Sequence, residues 1–212
     1  MSDLLVVGRH IRLRELSAED TDFIVTWRNH PDIQFWLPSG EPLTTESHNA
    51  WLSRCRDQGD LVLAYLDPDG RIVGQGSLYA FDPLQREAEF GRVFFSPDQG
   101  NPFAVLEAYY LTHAFGFELL GLSRIDANTV SENVRAEKLL LHLGYQQEAL
   151  HRAHLITPWG QSRDVVSMVL FPETFRAEAL RKTLYQGQTL DLYGPAARSW
   201  LGQHQARRAR IC

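Results

Sequence analysis

The residues best suited by type and spacing to do chemistry lie in one loop and in the histidines. Segment 96–107, SPDQGNPFAVLE, runs from a turn cluster straight into an apolar helical pattern. Asn101 suits a helix N-cap, and Pro102 suits the first turn, where its missing N–H has no intrahelical partner. The same geometry serves an anion. Gly100 lets the backbone approach a ligand, and the amides and positive dipole end of a helix start attract negative charge. Both readings stand on these residues alone. His48, His113 and His154 are candidates for proton transfer, because imidazole titrates near neutrality. His113 falls in a run apolar on nearly all sides, the setting of a core histidine. His151 and His154, three apart in an expected strand, are predicted to point to opposite faces, which argues against a metal pair. No G-x-S-x-G string and no positioned Cys/His pair marks a covalent nucleophile.

Periodicity supplies the elements that hold these groups. Residues 9–15 alternate as a strand, and Ser17 to Asp20 form a capping box ahead of a helix burying Phe23, Ile24 and Trp27. Thr44 or Thr45 caps a second helix through Trp51, Leu52 and Cys55. LVLAYL, residues 61–66, is a continuous apolar strand, turned by Asp67-Pro-Asp-Gly70 into a return strand over 71–79. A strand over 87–95 ends at the opening loop, and residues 103–120 form a buried helix. Residues 123–130 are a strand, 132–143 a helix stopped by Gly144, and 145–155 and 164–170 two strands around TPWGQ. Phe175, Leu180 and Leu184 mark an amphipathic helix, and the basic end HQARRARIC reads as a solvated terminal helix. This order predicts an α/β domain with one sheet.

With 212 residues, 44% apolar and 22% charged, the chain fits one substantial domain, 1–171, followed by a helical extension, 172–212. A net charge of −5 argues against general nucleic-acid binding, which rests on neutralising phosphates. Two cysteines, Cys55 and Cys212, make no disulfide framework, and no apolar run approaches the roughly 18 residues of a membrane span. A cytoplasmic protein that binds neither nucleic acid nor membrane is expected.

Several strings in order resemble the GNAT superfamily of acetyl-CoA-dependent N-acyltransferases, over roughly residues 8–171. AEFG (88–91) is similar to the family's fourth strand, and LTHAFGFELLGLSRI (111–125) to its helix-to-strand passage. NVRAEKLLLHLGY (133–145) resembles its N-x-x-A…L-G-[FY] segment. WRNHPDI (27–33) and HNAW (48–51) are similar to the branch of amino-sugar and ribosomal-protein N-acetyltransferases. The resemblance implies a mixed, mostly antiparallel sheet flanked by helices, acetyl-CoA as acyl donor, no metal, and direct attack by an amine within a ternary complex.

It also implies roles for residues. Gln99 and Ala104 match the ends of the signature Q/R-x-x-G-x-G/A, with Pro102 at the middle glycine, which removes one amide donor. The pyrophosphate cradle then draws on Gln99, Gly100, Asn101, Phe103, Ala104 and Val105. Splayed strands near 92–96 and 125–128 admit the pantetheine arm, and backbone amides of Val93, Phe94 and Phe95 pair with it. Glu89, two residues before Gly91, is the first candidate for general base, or else a solvated strand carboxylate; Ala88 and Phe90 beside it would raise its pKa. Asn133 contacts the arm, caps its helix, or does both. The family's acidic tyrosine falls on Leu140, which leaves Tyr145 or water to protonate the thiolate. Trp27, Arg28, Asn29, His48 and Trp51, with His154, form the acceptor pocket or pack helices; aromatic faces suit sugar or base rings and Arg28 a phosphate. The expected acceptor is a small amine, foremost that of a nucleotide-linked amino sugar. A protein N-terminus is the second reading, and a non-catalytic acyl-CoA-binding or assembly module the third. Residues 172–212 are a candidate homodimer contact.

Overall fold

The computed structural model describes residues 4–37, 40–186, 188 and 190–208. Cys212 and the last residues of the basic end lie outside them. Eight strands form one sheet: β1 (Leu4–Val7), β2 (Arg12–Glu15), β3 (Leu61–Leu66), β4 (Ile72–Asp82), β5 (Glu87–Phe95), β6 (Arg124–Val130), β7 (Gln146–Ile156) and β8 (Ser162–Leu170). Their spatial order is β1-β2-β3-β4-β5-β6-β8-β7. Only β5 and β6 run parallel among the described residues. The helices are α1 (Thr21–Arg28), α2 (Pro31–Trp36), α3 (Thr45–Asp57), α4 (Pro102–Ala114), α5 (Val134–Leu143), α6 (Ala177–Tyr185) and α7 (Pro195–Arg208). The expected mixed, mostly antiparallel sheet flanked by helices is what is observed.

β3 explains the layering. Leu61, Leu63 and Tyr65 join the core that contains α4, while Val62, Ala64 and Leu66 join the core under α1 and α3. Burial on both faces is why LVLAYL is apolar throughout instead of alternating. Arg14 grips Asp20 at 2.7 and 2.6 Å, and Asp20 accepts the Ser17 amide at 2.8 Å, which fixes the entry into α1. Thr44 caps α3.

Two elements go beyond the sequence expectations. β1, LLVV, has no alternation to mark it; α2 is a single short turn-and-a-half started by Pro31, with the Asp32 amide capped by the His30 ring. The helix expected over 103–120 is α-helical to Ala114 and continues as a π-helical turn, Phe115–Leu119. α6 and α7 place Leu180, Leu184, Ala197 and Trp200 in the same core as α4. Trp200 also donates its indole N–H to Glu15 at 3.1 Å, and the Val7 amide donates to the Leu192 carbonyl. No helix among the described residues is long and apolar enough to cross a membrane.

Candidate active site

The site is built where β5 and β6 part. Their pairing covers Glu87 with Arg124, Ala88 with Ile125 and Glu89 with Asp126. Beyond those pairs the strands diverge, and a cleft of ≈ 720 Å³ opens between Phe90 to Val93 on one strand and Ala127 to Val130 on the other. β5 bends at Arg92, held at φ 57°, where its register on β4 shifts. Val93 and Asn133 line this cleft, with Leu140 at its floor. Asn133 also caps α5, accepting the Ala136 amide at 3.2 Å. Phe94 and Phe95 instead turn their rings into the two cores, and Phe95 stacks on Tyr65.

Glu89 lies in a polar setting, not the apolar one its neighbours Ala88 and Phe90 suggest, because those two face the other side of the strand. Its Oε1 accepts the Tyr79 hydroxyl at 2.5 Å and an Asn128 N–H at 3.2 Å. Asn128 accepts the Ser167 hydroxyl at 2.6 Å, and Ser167 meets His151 Nε2 at 3.0 Å. Asn128 and Ser167 had one sequence signal, a polar residue in the middle of an apolar strand, and Tyr79 had none.

Tyr145 is placed away from the cleft. It is buried, and its hydroxyl meets His113 Nε2 at 2.8 Å, while His113 Nδ1 bonds the Tyr109 carbonyl. Core packing thus takes up the only hydroxyl offered for thiolate protonation, and burial pushes its pKa up. His113 is the core histidine its surroundings predicted. Burial, opposed only by that carbonyl, lowers its pKa to about 4. An unfolded imidazole titrates near 6.5, so between these values the unfolded chain binds more protons and stability rises with pH. The contribution is complete above pH 6.5 and is lost as pH falls toward 4. Between pH 7 and pH 5 the loss should be about 2 kcal/mol. Urea denaturation at both pH values checks this: His113→Asn should shrink the pH difference by that amount, and an undiminished difference would assign it elsewhere.

The acceptor candidates divide. Arg28, His48 and Trp51 share a small cavity of ≈ 200 Å³ with Gln75 and Arg92, and Arg28, Leu37 and Arg92 also border the large cleft. His48 and Gln75 are buried, and His48 Nε2 and Gln75 Oε1 have no hydrogen-bond partner within the described chain. Burial lowers the Arg28 pKa; its guanidinium donates to the Leu37 carbonyl, and no ion pair with a carboxylate is found among the described residues. Arg92, by contrast, pairs with Asp60 at 2.7 Å and lies over the Tyr79 ring. Asn29 is not in this pocket: both ends of its amide bond the Leu43 backbone, at 2.8 and 2.7 Å, and clamp the loop before α3. Trp27 faces the other way, toward the start of α4.

His154 lines the large cleft together with His151, and their ring centroids are 5.2 Å apart. This corrects the expectation of opposite faces. A register shift between His151 and Leu155, with Ala153 at φ 51° and its amide on Asp164, sets four residue steps of β7 against two of β8. The bulge brings i and i+3 to one side. No cluster of three or more metal-ligating residues occurs among the described residues.

At the start of α4 a groove of ≈ 500 Å³ is bordered by His10, Trp27, Arg71, Gln99, Asn101 and Ala104 among others. The loop closes on itself. The Gly100 amide donates to the Asp98 carbonyl, Asn101 to the Gln99 side chain, and Phe103 to the Asn101 side chain; Ala104 and Val105 donate to the Asn101 carbonyl. Two of these partners, Gln99 and Asn101, are side chains that can swing aside for an anion. Groove, amides and the adjacent Arg71 fit a phosphate-bearing donor.

Residues 10–146 match the family model described as the acetyltransferase (GNAT) domain. An uncharacterized N-acetyltransferase of Bacillus subtilis (strain 168), YoaA, is 32% identical over 84 residues, 40% of this chain and 47% of that relative, so the match spans about half of its length. Among solved structures, spermidine N-acetyltransferase from Vibrio cholerae, in complex with CoA and spermine, superposes with a TM-score of 0.71 at 21% identity, covering 78% of this chain and 97% of that one. Ribosomal-protein-S5-alanine acetyltransferase from Vibrio fischeri gives 0.71 at 18%, covering 82% and 100%. At those identities the two structures show a shared fold and leave the acceptor open. The family match extends from β2 through the cleft-lining α5, and on it this chain belongs to the GNAT acetyltransferase family.

Proposed function

We propose that the chain acetylates the amino group of a nucleotide-linked amino sugar, by direct attack of the amine on acetyl-CoA in a ternary complex. The observation that carries this reading is Arg28. A desolvated guanidinium that has no carboxylate partner among the described residues stands at the junction of the large cleft and the small cavity. Removing such a charge from water is costly unless an anion joins it, and a phosphate satisfies it bidentately. A polyamine would meet like charge there. Beside Arg28, His48 Nε2 and Gln75 Oε1 offer unused bonding capacity between the apolar walls Ile24, Leu43 and Trp51, which suits the hydroxyls and apolar face of a sugar ring. On the donor side, the α4 groove would take the phosphates of CoA, using the amides of residues 100–105 and Arg71, and the fork would take the pantetheine arm along Val93 and Asn133.

A CoA-release assay with nucleotide-linked amino sugars, spermidine and alanyl peptides tests the reading. The sugars should turn over fastest. Arg28→Ala should raise their KM about 30-fold, as loss of a charged hydrogen-bonding anchor of roughly 2 kcal/mol requires, and should leave the acetyl-CoA KM within twofold. Preferential turnover of spermidine, or an acceptor KM indifferent to Arg28→Ala, would overturn it.

A further inference from the structure

Where the main-chain pairing of β5 and β6 stops, side chains continue it. Glu89 on β5, Asn128 on β6, Ser167 on β8 and His151 on β7 form one hydrogen-bonded chain across four strands, with contacts of 3.2, 2.6 and 3.0 Å. Its polarity is dictated from the Glu89 end. A carboxylate only accepts, so Asn128 must present its N–H there, and its oxygen then faces Ser167. Ser167 donates its only hydroxyl proton to that oxygen, and so it accepts from His151. His151 Nε2 therefore carries a hydrogen, and in the neutral ring Nδ1 carries the lone pair.

The same chain links two surfaces. Glu89 lines a separate groove with Arg124, Asp126 and Glu148, and it does not border the cleft between the parted strands; Asn128, Ser167 and His151 line both. In the cleft His151 stands with Gly91 to Val93, where the thioester carbonyl is to be held. The β7 bulge, with Ala153 at φ 51°, sets the ring there beside His154.

We propose that His151 is the catalytic base of the acetyl transfer, and that Glu89, Asn128 and Ser167 are positioning residues that fix its tautomer. The amine nitrogen attacks the acetyl carbonyl carbon, the C–N bond forms, and the C–S bond breaks with its electron pair leaving on sulfur. His151 Nδ1 takes the proton from nitrogen and returns it to the departing thiolate or to water. Atoms and charge balance without a further reactant. The charged and titratable groups around the imidazole are Glu148 and His154 on its own strand, Glu89 and Arg92 from β5, Arg124 and Asp126 from β6, Asp164 from β8 and Arg28 from α1. Arg124 is engaged by Asp126 and Glu148, and Arg92 by Asp60, so the cations nearest this network are largely compensated.

The inference rests on the acetyltransferase activity and not on the identity of the acceptor. It is tested with acetyl-CoA and whichever amine of the panel turns over fastest. His151→Ala, with His151→Gln as a second variant, should lower kcat at least 100-fold, leave the acetyl-CoA KM within twofold, and recover part of the rate when imidazole is added. Ser167→Ala should cost about tenfold in kcat and Ser167→Thr, which restores the hydroxyl, much less. Glu89→Gln keeps an oxygen for Tyr79 and Asn128 and should cost about fivefold. In the free protein, nitrogen-15 NMR should show His151 as the Nε2–H tautomer, mixed in Ser167→Ala. A kcat within threefold of wild type in both His151 variants, a 100-fold loss in Glu89→Gln, or an Nδ1–H tautomer in the wild type would each overturn the assignment.

Discussion

Glu107→Ala should lower the unfolding free energy by about 4 kcal/mol and the melting temperature by roughly 8–16 °C, the scale for a chain of this size. Glu107 lies in the middle of α4 and is wholly buried. Its two oxygens accept the backbone N–H groups of Arg9, His10 and Ile11 at 2.9, 2.6 and 2.8 Å. The carboxylate thus takes the place of the partner strand that residues 9–11, between β1 and β2, lack. Truncation leaves these amides without an acceptor in a dry site, at about 1–3 kcal/mol for each buried one. Water entering the vacated space returns part of that cost. Glu107→Gln should lose less, because one oxygen survives while its NH₂ opposes an N–H. Gly8 packs against the carboxylate so closely that a Cβ would lie 2.6 Å from Glu107 Cδ, and the loop has no room to re-close around a different side chain. Function should follow: His10 stacks on Phe103 at the start of α4, so release of the loop should also raise the KM for acetyl-CoA. Thermal denaturation together with donor kinetics checks both effects, and a variant that melts within 3 °C of wild type would show that the amides find other partners.

What was legible in the sequence follows from which forces are local. The apolar run of β3, the capping residues Asn101 and Thr44, and the Gly144 stop are each dictated by neighbours within a turn or by simple burial, and the structure has them. The family strings likewise carried the mixed, mostly antiparallel sheet flanked by helices, while the order of its strands was not read from them. What was not legible depends on contacts between strands. Nothing in HRAHLI announces that Ala153 takes a positive φ and turns two imidazoles to one side. Asn29 has the right type for a substrate ligand, yet Leu43, fourteen residues on, occupies both ends of its amide. Glu89 was legible as an acid in the right strand, but its polar surroundings come from β4, β6 and β8. Arg28 was legible as a candidate anion ligand only by type; the absence of a carboxylate beside it, among the described residues, is a three-dimensional fact.

Gly144→Ala carries the second large effect, again about 4 kcal/mol of destabilisation, and its cause is backbone geometry rather than a lost contact. Gly144 ends α5 at φ 110°, a conformation that costs an L-residue roughly 1–2 kcal/mol. A Cβ there would lie 2.0 Å from the Thr174 carbonyl oxygen, which belongs to the turn leading from β8 into α6. Backbone on both sides resists: the Arg176 amide is bonded to Leu143, and Tyr145 to Leu140. The overlap must therefore separate α5 from the 171–176 turn, at about 1–3 kcal/mol for overpacking beyond the conformational cost. α5 carries Asn133 and Leu140 to the cleft, and the residue after Gly144 supplies the hydroxyl that meets His113. Displacing the turn should thus reduce kcat as well as the melting temperature. Gly202→Ala is the matched control. Among the described residues nothing lies within 4 Å of a Cβ at that position in α7, so there the same substitution should stabilise by roughly 0.5–1 kcal/mol through helix propensity. Melting curves of the two variants should move in opposite directions from wild type. A Gly144→Ala protein as stable as wild type would mean that the α5 terminus re-closes in another conformation.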